Sequence, residues 1–333
     1  MRGQSNTSPS GGSATCHIGI DLMGSDTKPD ELLKAILGFA VELPPCAKLT
    51  FFGTQELFYG HPHPPLNISF HCVTEVITMD DNPLTAIRLK KNSSLVVGIN
   101  MLKKHQINAF ISAGNTGALT ACAKINLSML PGIERPALLA LLPTRKSEIA
   151  VLDVGANTTY KAENLLQFAK MGIAYQKSRH IKNPRVGLLN IGAESTKGTP
   201  ELREAHLLLE SLPSFVGNIE ARNAFEGDID VLVTDGFTGN VFLKTAEGIA
   251  TFILHQIEEA ATDEASPHLK GMLTEIRHRV YYADYPGALL CGIDGILIKC
   301  HGNPTPQSIF CSITHAIRLI NTQVVSKIGR QAL

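Results

Sequence analysis

Residues 108–117 read NAFISAGNTG, a short β-prone run that stops at a loop of glycines and small polar residues. Five loops of this kind punctuate the chain: SAGNTG (112–117), DVGAN (153–157), NIGAESTKG (190–198), DGFTGN (235–240) and KCHGN (299–303). Each follows an apolar run of interior-strand length, over 108–112, 149–154, 186–191, 231–234 and 293–299, and a further strand is expected over 138–142. Amphipathic helices are expected at 119–129, 162–176, 201–209, 241–260, 269–280 and 307–320. Upstream, strands over 17–20, 49–52 and 68–73 alternate with a helix over 29–41, opened by Pro29, and with helices starting near Pro83 and Ser94. Strand and helix alternating in this way predict an α/β fold built on a mostly parallel sheet. In a parallel sheet all five loops leave one edge, where helix N-termini attract anions, so one composite polar cleft is expected.

Composition narrows the class. The 333 residues are 44% hydrophobic and 18% charged, which suits one large domain or two intimate ones. Thirty Lys and Arg offset thirty Asp and Glu, so no global field recruits nucleic acid. Seven cysteines lie scattered in apolar runs without CxxC pairs and read as free thiols of a reducing cytoplasm. Residues 1–15, rich in Ser, Gly, Asn and Thr, are expected to form a disordered leader before a single domain over 16–333. The longest apolar run, around residues 137–142, is far shorter than the ~20 residues of a membrane-spanning helix.

The loops carry more chemistry than turns demand, namely Asn115, Asp153, Asn157, Lys197, Asp235, Asn240 and His301. No GxGxxG follows a strand, and the lysine of residues 192–198 precedes its glycine, so neither a dinucleotide fingerprint nor a P-loop is present. No GxSxG elbow appears; Cys300 beside His301 offers a thiol nucleophile, against the plainer reading of a packed strand cysteine. His61, His63, His71 and Cys72 have a spacing that fits no common zinc site.

Taken in order, IGIDLMGSD (18–26), AIRLKKNSS (86–94), SAGNTGA (112–118), GIERPA (132–137), LDVGAN (152–157), QFAKMG (167–172), RVGLLNIG (185–192), Lys197-Gly198, GNIE (217–220), DGFTGNV (235–241), Leu243-Lys244 and IKCHG (298–302) resemble the bacterial phosphate acyltransferase family of phospholipid synthesis, usually called PlsX. The resemblance implies a homodimer with a three-layer α/β/α fold related to the isocitrate and isopropylmalate dehydrogenases. It implies transfer of a fatty acyl group from an acyl carrier protein thioester to inorganic phosphate, with no metal or organic cofactor. It further implies weak peripheral membrane contact through a helical hairpin near 249–282, and a membrane glycerol-3-phosphate acyltransferase acting downstream. Departures are the leader, Leu22 and Ser25 in the first loop, Ala193, and Asn303-Pro304 where the family carries a serine pair.

Phosphate is already a competent nucleophile, so such a site must hold it more than activate it. Lys197, Lys244 and Arg88, with Gly198, are the candidate phosphate contacts, and Lys197 ranks first because it stands between Thr196 and Gly198 in a strand-end loop. Asn115, Asn157 and Asn240 are candidate donors to the carbonyl oxygen that gains charge. His301 is the candidate acid for the leaving thiol, and Asp153 and Asp235 are expected to orient donors. The hairpin turn TDEASPH (262–268) is acidic and lacks the basic, aromatic tip of an interfacial anchor, which favours a dimer contact equally. A coenzyme A-dependent phosphate acetyl- or butyryltransferase, a dehydrogenase of the isopropylmalate type and a non-catalytic carrier-protein docking module are the rival functions.

Overall fold

A computed structural model describes residues 15–60, 64–260, 271, 274–277 and 286–332. The expected leader, apart from Thr15, lies outside the described residues, as do His61, His63, the 262–268 turn and most of the helix expected at 269–280.

Eleven strands form one sheet. In chain order they are β1 (Cys16–Asp21), β2 (Ala47–Gly53), β3 (Ile68–Cys72), β4 (Ala109–Ser112), β5 (Ala137–Pro143), β6 (Glu148–Leu152), β7 (Val186–Leu189), β8 (Phe215–Ile219), β9 (Val231–Val233), β10 (Ala288–Cys291) and β11 (Ile296–Lys299). Their spatial order is β3-β2-β1-β4-β11-β10-β5-β6-β9-β7-β8. β4, β7 and β11 are buried along their whole length, which is why these segments read as continuous apolar runs. Successive residues of β5 face opposite sides: Leu139 and Leu141 join a core with helices Pro29–Phe39, Ala162–Ser178 and Pro306–Asn321, whereas Leu138, Ala140 and Leu142 join a core with helices Ser94–Lys103 and Thr116–Asn126. The result is the expected three-layer α/β/α sandwich.

One expectation is corrected. The loops do not leave a common edge, because the sheet consists of two parallel lobes of opposite sense. β3, β2, β1, β4 and β11 run one way. The β11–β10, β10–β5 and β5–β6 pairs are antiparallel, and three reversals leave β6, β9, β7 and β8 running the other way. Ile111, Ile298, Leu289, Leu139, Leu152 and Val233 are nevertheless partners in one continuous row. β4 and β11 end one residue past that row, at Ser112 and Lys299, and β6 and β9 end on it. Carboxyl ends of both lobes therefore meet at the centre of the sheet.

Helix Gly236–Ala260 crosses this meeting point and presses its first turn on the loop after β6. A Cβ at Gly236 would stand 2.7 Å from Asp153 Oδ2, and one at Gly239 would run into the Asp153 carbonyl oxygen. Gly239→Ala is therefore expected to cost roughly 1–3 kcal/mol or more, because backbone rather than a flexible side chain must give way. Gly38→Ala, in helix Pro29–Phe39 with open space around it, is expected to stabilise by about 0.5–1 kcal/mol. Urea denaturation of the two variants checks both signs.

Candidate active site

Asp153 organises one wall. Its side chain is fully buried, and Oδ1 accepts from the backbone N–H of Leu138 (2.9 Å), Gly155 (3.1 Å) and Ala156 (2.9 Å). Oδ2 accepts from the Asn157 backbone (2.9 Å) and from Asn157 Nδ2 (2.9 Å). Burial pushes the Asp153 carboxyl pKa up, while these N–H donors work in the opposite direction. Gly155, at φ 132°, supplies the backbone turn that wraps the loop around the carboxylate. Asp235 caps the adjoining helix, with Oδ1 accepting from Phe237 (3.0 Å) and Thr238 (2.9 Å). With the helix start fixed, Asn240, Leu243, Lys244 and Glu247 share one face through helical spacing and line a cleft of about 520 Å³.

The opposite wall comes from the ends of β11 and β4, with Lys299, Cys300, His301, Gly302 and Thr116. Across the cleft Lys244, Glu247 and His301 form a triangle. Lys244 Nζ donates to Glu247 Oε2 (2.8 Å) and lies 3.3 Å from His301 Nδ1, and His301 Nε2 lies 3.1 Å from Glu247 Oε1. Burial pushes the Glu247 carboxyl pKa up, but His301 and Lys244 outweigh it and hold the pKa below the usual range. Lys299 is only 9% exposed, and Nζ donates to the carbonyls of Ala113 (3.2 Å) and Cys300. Burial lowers its pKa to about 8. Asp21, at the end of β1, is pushed up to about 6 by burial, and Ser112 Oγ donates to it at 2.8 Å. At neutral pH both groups carry charge.

The structure gathers Asn157, Asn240, Lys244 and His301 from the sequence candidates into this cleft. Of the three amides, two have their N–H groups committed. Asn115 Nδ2 donates to the carbonyls of Thr78, Met79 and Asp81 while Oδ1 caps helix Thr116–Asn126, and Asn157 Nδ2 donates to Pro136 O (2.7 Å) and Asp153. Asn240 is exposed and, among the described residues, makes no side-chain hydrogen bond. Asp153 and Asp235 each accept hydrogen bonds from backbone N–H groups of their own loops. Lys197, Gly198 and Arg88 are not among the lining residues of this cleft. Lys197 is exposed in the loop after β7, two strands or roughly 10 Å outward of β6. Gly198 lines a second, apolar groove of about 1030 Å³ on another face of helix Gly236–Ala260. Arg88 is exposed on helix Pro83–Leu89.

Lys299, Glu247 and Asp21 are functional candidates that motif reasoning passes over. Lys299 is the last residue of an apolar strand, and Glu247 is visible only as a carboxylate three residues after Lys244. Cys300, by contrast, is buried, its thiol pKa raised by burial, and its Sγ lies 3.2 Å from Ser312 Oγ, an environment that keeps it a packed thiol. Among the described residues no three His, Cys, Asp or Glu side chains gather as a metal site.

A family model described as "Fatty acid synthesis protein" matches residues 16–327. A phosphate acyltransferase of Thermoanaerobacter pseudethanolicus is 40% identical over 321 residues, covering 94% of this chain and 96% of its own length. One of Chlamydia abortus is 38% identical over 325 residues, covering 93% and 97%. Among solved structures, a phosphotransacetylase from Streptococcus pyogenes aligns with a TM-score of 0.62 at 14% identity, over 92% of this chain and 94% of that one. A putative 4-hydroxythreonine-4-phosphate dehydrogenase from Salmonella typhimurium aligns with a TM-score of 0.53 at 12% identity, over 92% and 100%. These two share the α/β fold. The sequence relatives match nearly end to end at about two residues in five, and on that ground the chain belongs to the phosphate acyltransferase family and is an acyltransferase.

Proposed function

We propose that this chain transfers a fatty acyl group from acyl carrier protein to inorganic phosphate, giving acyl phosphate for phospholipid synthesis. The observation that carries the reading is the convergence of Lys244, Lys299 and His301 with the open amide of Asn240 where both lobes end. A phosphate oxygen attacks the thioester carbonyl carbon; the C–O bond forms, the C–S bond breaks, and the sulfur leaves with the electron pair. Lys244 and Lys299 hold phosphate, Asn240 Nδ2 donates to the oxyanion, and His301 supplies the proton that restores the thiol. Asp153 and Asp235 orient the backbone around them, with Asn115 and Asn157 as props. Lys197 and Gly198 keep their motif-based assignment to phosphate, as does Arg88, and the assays below decide it.

A cytoplasmic homodimer belongs to the same reading. Helix Gly236–Ala260 exposes Ile249, Phe252 and Ile253, an apolar stripe that suits a second copy of the chain or weak contact with a membrane surface. No helix among the described residues is long and apolar enough to cross a membrane.

Mass spectrometry and thiol titration after mixing the protein with palmitoyl carrier protein test the reaction. Free carrier protein is expected only when phosphate is present; equal release without phosphate would defeat the proposal, and activity with acetyl-coenzyme A instead would favour the shorter-chain alternative. Lys244→Ala is expected to lower kcat/KM for phosphate by roughly ten- to a hundredfold, the equivalent of one charge-assisted contact of ~1.5–3 kcal/mol. Lys197→Ala run alongside resolves the motif assignment: a comparable loss puts the loop after β7 on the same phosphate, and wild-type kinetics removes it. Lys299 is protonated below about pH 8 and loses its charge as pH rises through that value, so phosphate affinity should fall across that step. In Lys299→Arg, whose cation persists, the ratio to wild type should climb above pH 8; a flat ratio from pH 6.5 to 9.5 excludes Lys299 from the anion site.

A further inference from the structure

The cleft is two-sided in character. Its cationic end is Lys299, the last residue of β11, which pairs with Ala288 of β10. The next residue, Leu289, pairs with Leu139 of β5, so Ala288 and Ala140 occupy neighbouring positions on adjacent antiparallel strands. Both alanines line the cleft, and with Lys299 they make a trough of small side chains leading away from the charge. Alternation along β5 puts Leu138 and Leu142 on the same face as Ala140, one on each side, and Leu243 of helix Gly236–Ala260 covers them. From this buried cation the trough continues over Ala288 and Ala140, flanked by Leu138, Leu142 and Leu243, while Lys244, Glu247 and His301 line the rest of the cleft.

We infer that this trough is the acyl-chain subsite, and that Ala140 and Ala288 set the length of chain it admits. This rests on the proposed transfer of an acyl group to phosphate. Continuity fixes the occupant: an anionic head at Lys299 whose tail is a straight hydrocarbon matches a cation followed by Ala288, Ala140 and their leucine neighbours. Two strand spacings separate Ala140 from Lys299, roughly 10 Å, so an acetyl group ends well before Ala140 and a palmitoyl chain passes over it. The absence of side-chain bulk at these two positions is what separates long from short acyl groups.

The test is calorimetric binding of palmitate to the whole protein, with turnover of palmitoyl carrier protein measured in parallel, for wild type, Ala140→Leu and Ala288→Leu. Each variant is expected to bind palmitate about tenfold more weakly or worse, the discrimination an obstructing methylene or two gives in an apolar pocket, with acetate binding unchanged. Turnover of the palmitoyl donor should fall in step. Palmitate binding and palmitoyl turnover at wild-type levels in both variants would overturn the subsite. If either variant melts early, Leu243→Ala carries the test, since it only removes atoms: several-fold weaker palmitate binding supports the trough, and unchanged binding overturns it. Variant-sensitive palmitate binding in a protein that releases no carrier protein with phosphate would sink the proposed reaction and leave the subsite standing.

Discussion

Everything at the centre of this protein depends on one buried carboxylate. Asp153 gathers four backbone N–H groups and the amide of Asn157, and one of those N–H groups, that of Leu138, belongs to the neighbouring strand β5. A charge so placed has no water to fall back on, so its hydrogen bonds are stronger than neutral ones and geometrically demanding. The loop wrapped around this carboxylate leaves no room for side chains at the start of helix Gly236–Ala260: a Cβ at 236 would meet the Asn157 carbonyl and Asp153 Oδ2, and one at 239 the Asp153 carbonyl. Strand pairing, loop shape and helix docking are in this way tied to a single group, and the residues on the helix face inherit their positions from it.

The cleft's own electrostatics follow a different rule. Lys244, Glu247 and His301 share a closed triangle in which the buried carboxylate holds both partners, a half-exposed ammonium and an imidazole. Lys299 and Asp21 are kept as charges at neutral pH although burial moves each toward its neutral form. In a site of reduced dielectric the buried Lys299 ammonium acts on an incoming anion more strongly than it would in water, and it needs no rearrangement to do so.

The sequence disclosed the layer architecture and most elements, since interior strands carry uninterrupted apolar runs such as 109–111 and 231–233. It did not disclose strand sense: an antiparallel β5 buried on both faces carries the same Leu-rich run as a parallel strand. β10 (Ala288–Cys291) was not anticipated, and β8 escaped because Gly217 and Asn218 interrupt its pattern. Helix Val324–Ala332 was overlooked because its polar content masks a narrow apolar stripe of Val324 and Ile328. At the site, the loops with Asp153, Asp235, Asn240 and His301 stood out through residues that turns do not require. Lys299 and Glu247 did not, because their significance arises only when β11 and helix Gly236–Ala260 are brought face to face.

The position of β10 and β11 between β4 and β5 bears on how the molecule is made. These strands leave the ribosome after the other nine strands of the sheet, yet they bridge β4 and β5, which are made well before them. Until they arrive, β4 and β5 present unpaired inner edges, the kind of surface that recruits strands from other chains. The closing step also joins residues far apart in sequence, as in the pairing of Ile298 with Ile111, and so carries a large loop-closure entropy and a correspondingly slow rate. Completion of the cleft is thereby deferred until β11 has been made, and a nascent chain arrested before β10 would hold two half-sheets with no cleft between them.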